Sequence, residues 1–342
     1  MNSANNSNSN EKALEVRTHD IPIADAMTEF MKIGWAPSPL TGVKPHPSIP
    51  FTKIRREKLS KQYPGSRLIF PSGSLKIRSN DSDYPFRAHS AYSWFTGIVA
   101  SDCVRDSLFV MEPNGAGHDA LLFIHPRSPR NNDEFYKNAR HGEFWIGRRM
   151  TLEETETKYA LKVVQIESIE EFLANKKETL IIRGEDKKLD QLVTESEEKE
   201  KEFLNFTSLM RIVKDQYEID EMQKAIDASV RGFADMVRVF PAATSVARGE
   251  RVIEAAFYGR ARLEGNDNGY PSIVASGAHA CVLHWIKNDG DVLPGDLILI
   301  DAGVEVESHY TADITRTFPV NGKFTEAQRK IYMIVYKAQQ AG

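Results

Sequence analysis

Apolar residues recur along this chain with two periods, and the change of period separates two regions. From Ser66 to Gly184 the apolar residues come in short runs between turn residues. SRLIFPSG is one such run. DSLFVMEPNGAGHDALLFIHP holds two more about a turn at Pro113, Asn114 and Gly115, and ALKVVQIES and ETLIIRG follow, with the helical stretch IEEFLANK between them. Runs of this length, rich in Ile, Val and Phe and closed by Gly, Pro or Asn, predict strands. Strands interleaved with helices predict an α/β layer domain. From about residue 207 the period becomes helical. Ile219, Met222, Ile226, Val230, Phe233, Val237 and Phe240 fall on one face. They predict a long helix over about 207–240 with that face buried and Pro241 as its stop. A second helix is predicted over about 248–264. After the turn cluster EGNDNGYPS, the stretches SIVASG, CVLHWI, LILIDAGV and YTADITRTFPV read as strands, and TEAQRKIYMIVYKAQQ reads as a closing helix.

Polar text sets the boundaries. Residues 1–12 are rich in Asn and Ser and read as a disordered tail. Residues 13–50 are broken by four prolines between Trp35 and Pro50 and read as an extended segment. Residues 185–206 are dominated by Glu, Lys and Asp and read as a charged helical linker. These stretches frame an N-terminal domain over 51–184 and a second domain over 207–342.

Composition narrows the function classes. A net charge of -4 over 342 residues leaves no basic footprint for nucleic acid. No apolar run approaches the roughly 20 residues that span a bilayer, and the N-terminus has no apolar signal core. Nucleic-acid and membrane partners are therefore not expected. Two cysteines, Cys103 and Cys281, argue against a disulfide framework and for a reducing, cytoplasmic setting.

The chemistry concentrates in LILIDAGVEVESHYTADITRTFPV. The two apolar, β-branched ends predict adjacent antiparallel strands. A turn centred on Glu307 would set Asp301 directly opposite Asp313, with Cα atoms about 4.5–5.5 Å apart. Two ionised carboxylates so placed repel one another and are costly to desolvate. A shared proton, a basic partner such as Arg316, or a cation would relieve them, and hard divalent ions favour such oxygen ligands. Asp301, Glu305, His309 and Asp313 are also four apart, but Gly303 and the β-branched neighbours argue against a helix there. His284, in CVLHWI, reads as a strand histidine between apolar neighbours, more often a satisfied core residue than a functional one. GAGHDA follows a strand but opens no helix, so it reads as a turn and not a nucleotide loop. No CxxC, phosphate loop or Ser-His-Asp arrangement is legible.

The stretches SGAHACVLHW and GDLILIDAGVEVESHYTADITRTFPVNGKFTEAQRKIY resemble the pita-bread metallopeptidases, in the branch of aminopeptidase P (Xaa-Pro aminopeptidase) and prolidase. LMRIVKDQYEIDEMQKA resembles the entry to that catalytic domain, and DYPFRAHSAYSWFTG resembles the aminopeptidase P N-terminal domain. The resemblance runs from about residue 50 to 342. It implies an α/β domain of the creatinase/aminopeptidase P N-terminal type, followed by an α+β pita-bread catalytic domain. By this resemblance Asp301 and Asp313 match two metal ligands, Asp313 the one shared by two ions, usually manganese. His284 matches a cleft histidine that positions substrate. The implied reaction is metal-dependent hydrolysis releasing an N-terminal residue that precedes proline, from peptides with proline second. The family's site draws three further ligands, one His and two Glu, from downstream, whereas the last His here is His309 and the last Glu is Glu326. The expectation is therefore an incomplete pita-bread domain. Turnover by these residues alone is not expected, and the implied partners are a complementing C-terminal fragment or further copies of the chain. The alternatives are a non-catalytic pita-bread binding module and a prolidase acting on Xaa-Pro dipeptides.

Overall fold

The unbroken apolar runs of the first region are strands of a sheet that is buried on both faces. In the computed structural model, which describes residues 23–80, 82–193 and 197–342, the chain divides into two compact units after Val213. The disordered-tail expectation for residues 1–12 lies outside the described residues.

In the first unit five strands, β1 (Arg67–Pro71), β2 (Leu108–Pro113), β3 (His118–Ile124), β4 (Lys162–Gln165) and β5 (Thr179–Ile181), form one mixed sheet. Its order is β4-β3-β2-β1-β5, with β1–β2 and β2–β3 antiparallel and the outer pairs β1–β5 and β3–β4 parallel. Leu68, Phe70, Phe109 and Leu122 enter one core, and Ile69, Val110, Leu121 and Phe123 enter the other. This is why alternation is absent from their sequence. Helix α1 (Asp25–Met31) precedes residues without regular structure. That segment is fastened by Arg148 Nε to Ser38 O at 2.6 Å, by Leu40 N to Glu154 Oε1 at 2.9 Å and by His46 N to Lys158 O at 2.7 Å. Glu154 belongs to α2 (Leu152–Tyr159), which opens with a Thr151–Glu154 capping box.

Where one long helix was expected over 207–240 there are two, α3 (Glu197–Met210) and α4 (Gln216–Arg238). The break is chemical. Asp215 accepts from Glu218 N, and the Glu218 carboxylate accepts from Asp215 N, so a capping box starts a new helix.

The second unit is α4, α5 (Gly249–Glu264) and an antiparallel sheet of β6 (Ile273–Ser276), β7 (Leu297–Ala302) and β8 (Ile314–Pro319), in the order β8-β7-β6, followed by α6 (Glu326–Ala341). The buried face of α4 is not the predicted one. Of the predicted residues Phe233 and Phe240 are buried, but Ile219, Ile226, Val230 and Val237 are exposed, and Glu221, Ala225, Ala228, Ser229, Gly232 and Met236 are buried in their stead. Small residues win because α5 lies close. A Cβ at Gly232 would press 2.6 Å from the Phe257 ring. CVLHWI is not a strand either. It begins at the end of a 3-10 turn over Gly277–Cys281 and continues as irregular loop.

Candidate functional site

Strand β7 sorts its residues by face. Ile298, Ile300 and Ala302 are fully buried in the core with Phe257 and Met236. Asp301 points to the opposite, half-buried side. Its partner across the ladder is Thr315, not Asp313. The same register continues through Ala312 N to Val304 O at 3.3 Å and the Glu305–Thr311 bridge. The turn therefore centres on Ser308, one residue later than expected, and is closed by His309 N to Val306 O at 2.8 Å with His309 at φ 68°. A one-residue shift of the turn moves the partner by two, so Asp313 keeps the face of Asp301 but lies diagonal to it. Gly303 makes room beside Asp313: any Cβ there would overlap the Ala312 carbonyl oxygen.

The two carboxylates meet at a residue that the sequence did not single out. Tyr270 Oη donates to Asp301 Oδ1 at 2.6 Å and lies 3.2 Å from Asp313 Oδ1. One oxygen in reach of both holds the two Oδ1 atoms within about 6 Å of each other. At that separation two unit charges repel by roughly 3 kcal/mol at an effective dielectric near 20, and by less here because Asp313 is exposed to screening water. Thr315 Oγ1 donates to Asp301 Oδ2 at 2.6 Å, so Asp301 is held through both oxygens. Burial and the hydrogen bond to Asp301 push the Tyr270 phenol far above its ordinary range, which keeps its proton in place.

The proposed basic partner fails. Arg316 pairs with Ile300, on the other face of the hairpin, and its Nη1 donates to Thr315 O at 2.7 Å. Among the described residues neither carboxylate forms an ion pair, and no third His, Cys, Asp or Glu gathers with them. Two anionic oxygen donors fixed by hydroxyls, with no basic side chain paired to them among the described residues, suit a hard divalent ion better than a thiophilic one.

His284 is exposed at a turn, its carbonyl accepting from Ile286 N at 3.0 Å, rather than a core histidine in a strand. Its loop hangs on a buried carboxylate that the sequence did not reveal. Glu250, 0% exposed, accepts from Ser276 N at 2.8 Å, Trp285 Nε1 at 2.8 Å and Gly290 N at 2.7 Å, and His279 Nδ1 lies 2.9 Å away. The His279 ring stacks on Trp285 at 3.9 Å. Buried Asn288 holds the other side through Val274 N, Ser272 O and Glu254. The loop that presents His284 is thus anchored from both sides.

Comparison with known proteins agrees with this architecture. Residues 52–182 match the family model described as aminopeptidase P, N-terminal domain, and residues 220–342 match metallopeptidase family M24. The chain is 44% identical over 323 residues to Xaa-Pro aminopeptidase 1 of Streptomyces coelicolor, covering 94% of this chain and 64% of that protein. It is 46% identical over 319 residues to Xaa-Pro aminopeptidase 2 of the same organism, covering 92% and 66%. It thus spans a little under two thirds of the length of these curated relatives. Among solved structures, zinc-substituted aminopeptidase P of Escherichia coli in complex with product superposes with a TM-score of 0.71 at 27% identity, covering 86% of this chain and 68% of that one.

Proposed function

We propose, for a chain that belongs to the aminopeptidase P branch of the pita-bread metallopeptidases, that it carries part of the active site of an Xaa-Pro aminopeptidase. Its substrates are peptides with proline at the second position. The observation that carries this reading is the carboxylate pair: Asp301 and Asp313 share one face of the hairpin, are joined through Tyr270, and have no basic partner among the described residues. Asp301 and Asp313 would hold the metal, manganese by the resemblance. When bound, divalent metal polarises the scissile carbonyl and supplies a nucleophile from water at neutral pH. The chain's own residues do the rest. Thr315 and Tyr270 donate to the two Asp301 oxygens and so fix the direction in which they would meet a metal. His284 takes the substrate-positioning role, supported by its exposed turn and by the Glu250 anchor of its loop. The free thiols Cys103 and Cys281 support a reducing compartment, the cytoplasm.

Two measurements separate the site from the activity. Calorimetric titration with manganese should show binding that D301N and D313N each abolish; undiminished binding in both variants would remove the pair from the site. For the protein isolated from its source, release of the first residue from an Xaa-Pro tripeptide should depend on added manganese, with residues 1–342 alone as the arm that asks whether these residues suffice. Equal cleavage of Xaa-Ala peptides would overturn the assignment. Preference for an Xaa-Pro dipeptide over the tripeptide would point instead to a prolidase.

A further inference from the structure

The first unit contains a cleft of about 620 Å³, built where the segment after α1 crosses the residues that follow β3. Its apolar walls are Trp35, Pro37, Pro126 and Pro129. Three cations line it, and two of them are neutralised. Lys32 Nζ is 2.5 Å from Asp133 and 2.6 Å from Glu29, and Arg127 is 2.5 Å from Glu143 and 3.0 Å from Ser38 Oγ. Arg130 is different. Its guanidinium lies over the Trp35 ring at 4.6 Å and beside Phe135 at 5.9 Å. Among the described residues it makes no ion pair or hydrogen bond, and its Nε is buried without a partner. The one acidic residue in the lining, Glu153, is turned toward the α2 N-terminus, where its own backbone N–H and the Thr151 hydroxyl hold its carboxyl below the usual range.

Arg130 lines the cleft with no protein acceptor among the described residues, and a charge-assisted hydrogen bond from its guanidinium to an oxyanion is among the strong ones. Stacking on an indole leaves the edge of the guanidinium plane free, and that edge matches a carboxylate bidentately. A single guanidinium without an acidic partner matches a single carboxylate, and walls of Trp and Pro call for an apolar body. From these observations we propose that the cleft binds an organic monocarboxylate, its oxyanion on Arg130 and its apolar part along Trp35 and the prolines. The site contains neither Asp301 nor Asp313 and is independent of the metal reading.

The test is calorimetric titration of the whole chain with 3-phenylpropionate, with its neutral amide, and with inorganic phosphate. The acid should bind at least roughly tenfold tighter than the amide, since a charged hydrogen-bonded pair is at stake. Phosphate, which lacks an apolar body, should bind more weakly than the acid. R130Q should lower the affinity for the acid to that of the amide, and D301N should leave it unchanged. Equal binding of acid and amide, tighter binding of phosphate, or no binding of the acid up to about 10 mM would overturn the proposal. Should R130Q fail to fold, the acid–amide comparison on the unaltered protein decides alone.

Discussion

Thr315, not Asp313, is the residue opposite Asp301, and the two side chains are bonded Oγ1 to Oδ2 at 2.6 Å. The ladder thus sets a hydroxyl against the first carboxylate, and the second arrives diagonally through Tyr270. T315V removes one of two donors that orient Asp301. The expected result is manganese affinity weakened by roughly tenfold, the ordinary effect of losing an outer-shell partner. T315S should restore it. Stability should change by less than about 1 kcal/mol because Thr315 is exposed. An affinity unchanged in T315V would show that the hydroxyl does not orient the ligand.

R316A gives the opposite expectation. Arg316 lies on the far face of β8 and donates only to the adjacent backbone carbonyl, Thr315 O. Its removal should leave manganese affinity within about twofold and stability within about 0.5 kcal/mol. Were Arg316 the counter-ion of the pair, its removal would strengthen metal binding by tenfold or more, since a competing charge would be gone.

How much of this was legible in the sequence depends on the range of the interactions involved. The same-face placement of Asp301 and Asp313 was readable, because the period of a strand is two. Their register was not, because it rests on a turn whose left-handed residue, His309, carries none of the usual Gly or Asn signal. The five strands of the first unit were readable as short apolar runs. The buried face of α4 was not: the period identified a helix, but the close approach of α5 at Gly232 selects small residues over Ile and Val. Asp215 and Glu218 spelled a capping box in plain text, and that signal could have divided the helix. Tyr270 and Glu250 had no local signature. Each acts on residues more than 25 positions away, and only the folded chain brings them together.

His141 makes the first unit sensitive to acid. Burial, the neighbouring His125 ring at 4.2 Å, and Arg149 and Arg140 push its imidazole down to about 4, against a smaller opposing pull from Asp106. The other groups around this ring pair include Glu134 and Glu167, both on His125. A base with a depressed folded-state pKa stays neutral while the unfolded chain takes up a proton near 6.5. The stabilisation of the native state by this residue is therefore complete above about 6.5 and is lost as pH falls toward 4. The ceiling is about 3 kcal/mol, reduced by partial exposure of the ring. Urea unfolding at pH 7 and pH 4.5 should show this loss in the unaltered protein and a smaller one in H141Q. An NMR titration placing the His141 midpoint near 6.5 would refute the assignment.

Glu250 gives the sharpest stability prediction, because its carboxylate is saturated. The Ser276 and Gly290 amides and the Trp285 indole converge on a side chain that water does not reach, with His279 Nδ1 in contact as well. E250A leaves these donors without an acceptor, and a loss of at least about 3 kcal/mol is expected, from penalties of about 1–3 kcal/mol each that do not simply add. E250Q should cost nearly as much despite its equal size. Its amide replaces one acceptor oxygen with a donor, which then faces either the Trp285 and Gly290 N–H groups or the Ser276 N–H. W285F removes a single donor and should cost no more than about 1.5 kcal/mol. In E250A and E250Q, Trp285 should also move toward water, seen as a red-shifted emission absent from the corresponding W285F double variants. A silent E250Q would mean that the carboxylate is not the anchor of the loop carrying His284, and with it would go the reason that this exposed histidine holds one position.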